Sequence, residues 1–168
     1  RDTGLQTVWS RVFEEHEYAG YKRALDKIAI IPIISRRSFL ELKEKMGGYY
    51  QVDLIGLGYR TEQVNAEFLQ QYDLVITIGR TVPRCLAMGV PVYVYDYLGG
   101  PGYLTEANFS LAERNNFSGR GFEKKTSDEL LKEIKEGYAR QESGCRSGRR
   151  SLRWIISMPA GLMRCMKN

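Results

Sequence analysis

The stretch from Asp73 to Gly102 constrains the fold of this chain more than any other. It reads DLVITIGRTVPRCLAMGVPVYVYDYLGGPG and predicts a buried strand, a glycine turn, a short helix, a second buried strand and a loop with three glycines. Two apolar strands joined by one short helix are typical of a right-handed βαβ unit in a parallel sheet. Because a glycine loop follows each strand, the segment indicates half of a nucleotide-binding crevice.

The same alternation of apolar strands and amphipathic helices extends through most of the chain. The predicted strands are Lys27–Ile34, Gln51–Leu57, Asp73–Ile78 and Pro91–Tyr95. The predicted helices are 1–24, one that begins at a Ser38–Glu41 capping box, Thr61–Tyr72, Thr81–Met88, Thr105–Asn115 and Ser127–Ala139, with Thr81, Thr105 and Thr126 or Ser127 as caps. This order predicts an α/β fold with a doubly wound, mostly parallel, Rossmann-like sheet.

Composition and charge divide the chain into three parts. Residues 1–25 are predicted to be a helical flank, 26–140 a ligand-binding α/β domain, and 141–168 a polar linker with a tail helix. The net charge is +5, but the tail from Arg140 onward carries +6, so residues 1–139 carry about −1. The domain therefore has no general electrostatic attraction for nucleic acid, and we expect no nucleic-acid partner.

The tail itself predicts a basic amphipathic helix, which Pro159 would kink. Its apolar residues fall within one arc, beside three arginines: Leu152, Ile155, Ile156, Leu162, Met163 and Met166. One interpretation is peripheral contact with an anionic membrane through residues 149–168. The other is packing of the same apolar face onto this protein or onto a further domain.

Few residues are available for catalysis or metal binding. The single histidine, His16, lies in the N-terminal flank, away from the predicted crevice, and the three cysteines lack zinc-ligand spacing. We expect Cys85 to be a reduced core thiol. Gly56-x-Gly58 lacks the third glycine of a dinucleotide fingerprint. The sequence therefore predicts no metal, no cofactor and no Ser-His or Cys-His centre, and it disfavours NAD chemistry.

Three loops follow strands at the end of the sheet where such folds bind ligands. They are Ser35–Ser38, Gly79–Thr81 and Asp96–Gly102. Free backbone N–H groups and the helix dipole favour anions at helix N-termini, and glycine allows a phosphate to approach the backbone. Each glycine can equally be an ordinary turn, and Arg36–Arg37 can be a solvated pair, but three such loops together indicate an anion site.

Three segments carry a resemblance to a known class of enzymes. Ala87–Val92 (AMGVPV), Tyr95–Leu104 (YDYLGGPGYL) and Asn116–Gly121 (NFSGRG) resemble the C-terminal, donor-binding domain of glycosyltransferases with the GT-B architecture. The enzymes in question are those of bacterial and archaeal surface-polysaccharide assembly. The resemblance covers about residues 26–139, and the AMGVPV and YDYLGGPGYL segments are the most specific.

The resemblance implies a nucleoside diphosphate sugar as substrate, bound mainly by this half of a GT-B pair. An arginine after the first strand commonly meets the pyrophosphate, which falls on Arg36 or Arg37, whereas Lys43 lies at an unusual spacing for the lysine that follows it. Acceptor binding belongs to an N-terminal domain that this chain lacks. The candidate donor-binding residues are Arg36, Arg37, Gly79, Arg80, Thr81, Arg84, Gly99 and Gly100. The implied location is cytoplasmic, or peripheral at the membrane surface.

Arg84 departs from the pattern of these enzymes, which often have a glutamate there to bind the ribose hydroxyls. A guanidinium only donates hydrogen bonds, whereas a carboxylate only accepts them. Arg84 can face phosphate, pair with a carboxylate such as Asp96, or point to solvent. Two other functions stay open for this reason: a non-catalytic binding or scaffold module, and a nucleotide-sugar epimerase.

Overall fold

The computed structural model describes residues 24–33, 37–56 and 58–146, and it contains five strands and five helices within them. The strands are β1 (Lys27–Ile31), β2 (Gln51–Leu54), β3 (Leu74–Thr77), β4 (Val92–Asp96) and β5 (Gly99–Tyr103). The helices are α1 (Arg37–Gly47), α2 (Ala66–Leu69), α3 (Thr81–Ala87), α4 (Glu106–Arg114) and α5 (Ser127–Arg146). The predicted helix 1–24 and the predicted tail helix lie outside the described residues.

All five strands form one sheet in the order β2-β1-β3-β4-β5. The first four are parallel and β5 is antiparallel to β4. The chain leaves β1 toward β2, returns past β1 to β3 and continues outward, so the strand order reverses between β1 and β3. The expected α/β fold with a mostly parallel, doubly wound sheet is confirmed, and the reversal creates the crevice typical of such sheets.

Two hydrophobic cores cover the two faces of the sheet. On one face, Phe39, Leu42 and Met46 of α1 and Leu130 and Ile134 of α5 pack on the sheet. On the other face the sheet is covered by the buried residues of α2, α3 and α4, which are Phe68, Leu69, Val82, Cys85, Leu86, Phe109 and Ala112. The strands are apolar toward both layers, as expected for a sheet buried on both sides.

Asp73 joins the two central strands at the end of the sheet opposite the crevice. Its Oδ2 atom accepts hydrogen bonds from the backbone N–H groups of Lys27 at 2.9 Å and Asp26 at 3.2 Å. Its position just before β3 excludes Asp73 from a site at the carboxyl ends of the strands. Its role is to satisfy backbone donors where β1 begins.

Several predicted elements are shorter in the structure, including the strand predicted over Gln51–Leu57, which is β2 (Gln51–Leu54). The helix predicted over Thr61–Tyr72 is wrong at both ends, because α2 spans only Ala66–Leu69. The Asn65 side chain accepts a hydrogen bond from the Phe68 N–H at 2.9 Å, and this cap fixes the start of the helix. The first strand ends at Ile31 because Pro32, which lacks an N–H, cannot continue the ladder.

The predicted glycine loop Asp96–Gly102 is also wrong, because most of it is strand β5. The chain turns back at Tyr97 and pairs Gly99 with Asp96 and Gly102 with Val94 in an antiparallel ladder. Glycines have low strand propensity, so the pattern suggested a loop. Tertiary packing overrides that propensity, since a side chain at Gly100 would overlap the Val94 carbonyl group.

The observed first residues of the helices show that two predicted N-caps are wrong and that two others are confirmed. Thr81 and Ser38 lie inside the first turns of α3 and α1 and are not N-caps. Thr105 and Thr126 do precede their helices: the Thr105 N–H donates to Asn108 at 2.8 Å, and the Thr126 N–H donates to Glu129 at 2.7 Å. Helix α5 continues to Arg146, so the segment 141–168, predicted to begin as a polar linker, is helical in its first residues.

Candidate functional site

The carboxyl ends of β1, β3 and β4 lie side by side at the crevice end of the sheet. The Thr77 hydroxyl at the end of β3 donates a hydrogen bond to the Ile31 carbonyl at the end of β1, with an O–O distance of 3.1 Å. Asp96 ends β4 with its side chain fully buried, and its Oδ1 atom accepts from the Tyr97 N–H at 2.6 Å. These bonds fix the strand ends from which the surrounding loops project.

A pocket of about 290 Å³ lies beside these strand ends, on the face covered by α1 and α5. It is lined by Ser38, Phe39, Leu42, Tyr95, Tyr97, Lys124, Lys125, Ser127 and Leu130. The volume is near the lower end of the range for small-molecule sites, and the lining combines apolar and aromatic groups with hydroxyls and ammonium groups. This composition suits a ligand that has both a flat apolar part and a negatively charged part.

At the wall of the pocket, two hydrogen bonds hold the loop before α5 against β4. The Tyr95 hydroxyl donates to the Lys125 carbonyl at 3.0 Å and accepts from the Lys125 N–H at 2.8 Å. Burial, the largest effect, raises the pKa of Tyr95, so the hydroxyl stays protonated and keeps both bonds at neutral pH. The loop backbone is therefore fixed relative to the sheet.

The two lysines of the loop have different surroundings. The Lys125 ammonium contacts both carboxylate oxygens of Glu133, at 2.6 and 2.9 Å, and lies 5.9 Å from the Tyr93 ring centroid. Lys124 is exposed and makes no hydrogen bond or ion pair with the part of the chain that the structure describes. The pocket thus has one lysine engaged by the protein and one whose charge is available.

Two helices begin at the pocket. Ser38 is in the first turn of the 11-residue helix α1, and Ser127 begins the 20-residue helix α5. The positive ends of both dipoles therefore add to the lysine charge at the same place. A Thr126–Glu129 capping box closes the start of α5, and the hydrogen bonds from Thr126 lower the pKa of Glu129. Asp128 and Glu129, in the first turn of α5, offset part of its positive end, so the start of α1, which has no acidic residue in its first turn, and Lys124 provide most of the attraction for an anion.

The predicted turn Gly79–Thr81 lies on the other side of the crevice and contacts the Asn116–Gly121 segment. Gly79 has a φ of +65°, and its N–H donates to the Phe117 carbonyl at 2.9 Å. Arg80 is exposed at the N-cap position of α3, and Thr81 is half-buried. One of the three segments that carry the resemblance thus lies against this turn.

Three of the predicted arginines, Arg37, Arg80 and Arg84, are at the surface. Arg37 begins α1 with its side chain 92% exposed, and its Nε atom lies 3.4 Å from a carboxylate oxygen of Glu41. Arg36 lies outside the described residues. Arg84 is exposed on α3, and no ion pair joins it to Asp96 or to any other residue that the structure describes. The Asp96 side chain is buried whereas Arg84 is exposed, and contact of Arg84 with a ligand phosphate stays a prediction.

Gly99 and Gly100 lie in β5, where glycine is required by contacts within the protein. Gly99 has a φ of +112°, and a Cβ there would lie 2.6 Å from the Phe122 carbonyl oxygen and 2.7 Å from that of Glu123. At Gly100 a Cβ would overlap the Val94 carbonyl and lie 2.7 Å from the Tyr95 Cα. These positions have a structural reason for glycine, and neither residue lines the pocket. Their contact with a donor stays a prediction.

Sequence reasoning missed most of the residues that line the pocket. Lys124 and Lys125 were not predicted to bind a ligand, whereas Ser38 and Tyr97 lie within two of the predicted anion loops, Ser35–Ser38 and Asp96–Gly102, although neither is among the candidate donor-binding residues. One signal was present, since the lysine pair directly precedes the Thr126–Glu129 capping box and so stands at a helix start. What the sequence alone does not show is that α5 lies beside α1, where the Lys45 ammonium contacts Asp128 at 2.7 Å.

The structure also shows the position of Cys85 and allows a search of the described residues for metal-binding groups and membrane-spanning helices. Cys85 is completely buried, and burial raises its pKa to about 12, which confirms a core thiol. Among residues 24–33, 37–56 and 58–146 there is no group of three or more His, Cys, Asp or Glu side chains that could hold a metal ion. In the same ranges no helix is long and apolar enough to cross a membrane.

The chain was compared with known proteins at three levels. It matches no protein-family model, no curated protein and no solved structure.

Proposed function

We propose that this chain is the donor-binding domain of a GT-B-like glycosyltransferase, which transfers a sugar from a nucleoside diphosphate sugar to an acceptor. The observation that carries the proposal is the pocket between the starts of α1 and α5. There, two tyrosines and an unpaired lysine meet beyond the carboxyl end of β4. The resemblance of the AMGVPV and YDYLGGPGYL segments supports the same class of donor.

The chemistry of each half of such a donor matches a part of the pocket. The half-buried Tyr97 ring offers apolar surface to a flat base or to a ribose, and the buried Phe39 and Tyr95 rings complete the apolar lining. The Lys124 ammonium and the two helix starts offer positive charge to the diphosphate. In transfer, these groups act by positioning the donor and by stabilising the departing diphosphate.

The proposal implies a second domain for the rest of the reaction. No catalytic base is assigned to the present residues, and the acceptor would be bound by an N-terminal domain of the same architecture. We therefore expect this chain to bind donor weakly by itself and to turn it over little. Assembly of surface polysaccharide or of another glycoconjugate at the cytoplasmic side of a membrane is the proposed setting.

Calorimetric titration with UDP, GDP and sugar derivatives of both tests the proposal. We expect saturable binding of one of the two diphosphates, with a Kd in the range of about 10 µM to 1 mM, because the pocket is small and open. Uridine and guanosine serve as matched ligands without phosphate and should bind more weakly. If neither diphosphate binds to the chain or to a longer protein that contains it, the proposal fails.

A non-catalytic binding module is the second candidate, because Arg84 is exposed and unpaired where such enzymes often have a glutamate. Under the donor-binding proposal, an Arg84→Glu change should weaken diphosphate binding by about 2- to 5-fold, the effect of an exposed charge acting through solvent. A tighter complex would instead indicate that the change restores a lost ribose contact, and it would favour the non-catalytic module. Titration of both proteins at two salt concentrations separates the two results.

A further inference from the structure

We infer that the adjacent lysines of the pocket divide two tasks between them: Lys124 binds the diphosphate of the ligand, and Lys125 positions the loop that presents Lys124. The inference rests on the proposed function and names the cation that recognises the phosphates. Neither lysine belongs to the motifs that carry the resemblance, and both stand outside the set of residues that the sequence indicated.

The Lys125 ammonium is occupied by the protein. Glu133 contacts it through both carboxylate oxygens, at 2.6 and 2.9 Å, and both side chains are partly shielded from solvent. The backbone of Lys125 is fixed as well, because its N–H and carbonyl both bond to the Tyr95 hydroxyl. A lysine held at both its backbone and its ammonium serves to fix the loop rather than to bind a ligand.

The Lys124 ammonium has no such partner. Lys124 is exposed, lines the pocket, and makes no hydrogen bond or ion pair with any residue of the described ranges. Its Cα is adjacent in the chain to the fixed backbone of Lys125, so the start of its side chain is held beside the pocket while its ammonium is available. An exposed lysine costs little to rearrange, and a phosphate can gain a charge-assisted hydrogen bond from it.

The surroundings of Lys124 favour a phosphate over other anions of the same charge. The side chains of Ser38 and Ser127 line the same pocket and can donate hydroxyl hydrogen bonds to further oxygens. Ser38 also marks the start of α1, which adds the positive end of a helix dipole with no acidic residue in its first turn, whereas Asp128 and Glu129 offset part of the dipole of α5. A diphosphate has enough oxygens to use the ammonium and both hydroxyls at once.

The test compares Lys124→Met, Lys124→Arg and Lys125→Met with the unchanged protein by calorimetric titration of UDP and GDP. For the diphosphate that the protein binds, we expect Lys124→Met to weaken the affinity by about 10- to 100-fold, the range for loss of a hydrogen bond to a charged group. Lys124→Arg should retain most of the affinity. Lys124→Met should also reduce the salt dependence of binding, which a merely structural residue would not change.

The controls separate binding from folding. Lys132 is exposed on α5 and does not line the pocket, so Lys132→Met should leave both affinity and Tm unchanged. Lys124→Met should leave Tm unchanged, whereas Lys125→Met should lower it because Glu133 loses its partner. If Lys124→Met binds the diphosphate within twofold of the unchanged protein, the inference is overturned while the proposed function stands. If the unchanged protein binds neither diphosphate, both are overturned.

Discussion

Replacement of Gly100 by alanine should lower the free energy of unfolding by about 3 kcal/mol or more, which is about 6–12 °C in Tm for a domain of this size. The added Cβ would overlap the Val94 carbonyl oxygen and lie 2.7 Å from the Tyr95 Cα. Both are backbone atoms of β4, and neither can move without breaking the pairing of β4 with β5. Chemical denaturation followed by circular dichroism measures the loss.

A matched glycine provides the control. Gly47 ends α1, and a Cβ there has no heavy atom within 4 Å. We expect Gly47→Ala to be neutral or to stabilise by about 0.4–1 kcal/mol, because alanine restricts the unfolded chain more than glycine does. An equal effect of the two changes would contradict the packing described for β5. If Gly100→Ala retained full stability and lost only diphosphate affinity, the glycine would serve the ligand and not the fold.

The second large effect is expected when the pocket is filled. Ser38 is exposed at the mouth of the pocket, so a Ser38→Trp side chain can enter it without displacing a core residue. We expect diphosphate affinity to fall by about 100-fold or more, equal to about 2.7 kcal/mol, with Tm unchanged. Calorimetry and thermal unfolding on the same preparation give both numbers.

The control for this change lies two residues further along α1. Leu40 is 45% exposed and does not line the pocket, so Leu40→Trp adds the same indole outside the site. It should leave the affinity within about twofold of the original. Equal loss in both variants, or normal binding by Ser38→Trp, would mean that the ligand binds elsewhere on the protein.

The fold could be predicted from the sequence because the strands carry strong local signals. The run from Asp73 to Tyr95 has two buried strands and a short helix where the pattern indicated them, and Pro83 stands in the first turn of α3, where its missing N–H costs little. Periodicity and turn residues are local properties. These local properties are enough to predict an element wherever the tertiary packing favours the same conformation.

The misassigned elements are those where packing overrides local preference. Glycine-rich β5 forms a strand because its backbone fits against β4 and the 119–123 segment, and the sequence contains no local sign of that fit. The pocket was missed for a similar reason. Its residues come from α1, β4 and the loop before α5, which are up to about 90 positions apart, and only the sheet order brings them together.

The most direct test of the donor-binding proposal is a titration of the ¹⁵N-labelled protein with UDP and with GDP, followed by the chemical shifts of assigned backbone amides. The account predicts that one of the two diphosphates shifts the amides of Ser38, Tyr97, Lys124 and Ser127 in a saturable way. The amide of Gly47, at the far end of α1, should not move. Shifts confined to residues outside the pocket, or no shifts with either diphosphate at millimolar concentration, would contradict it.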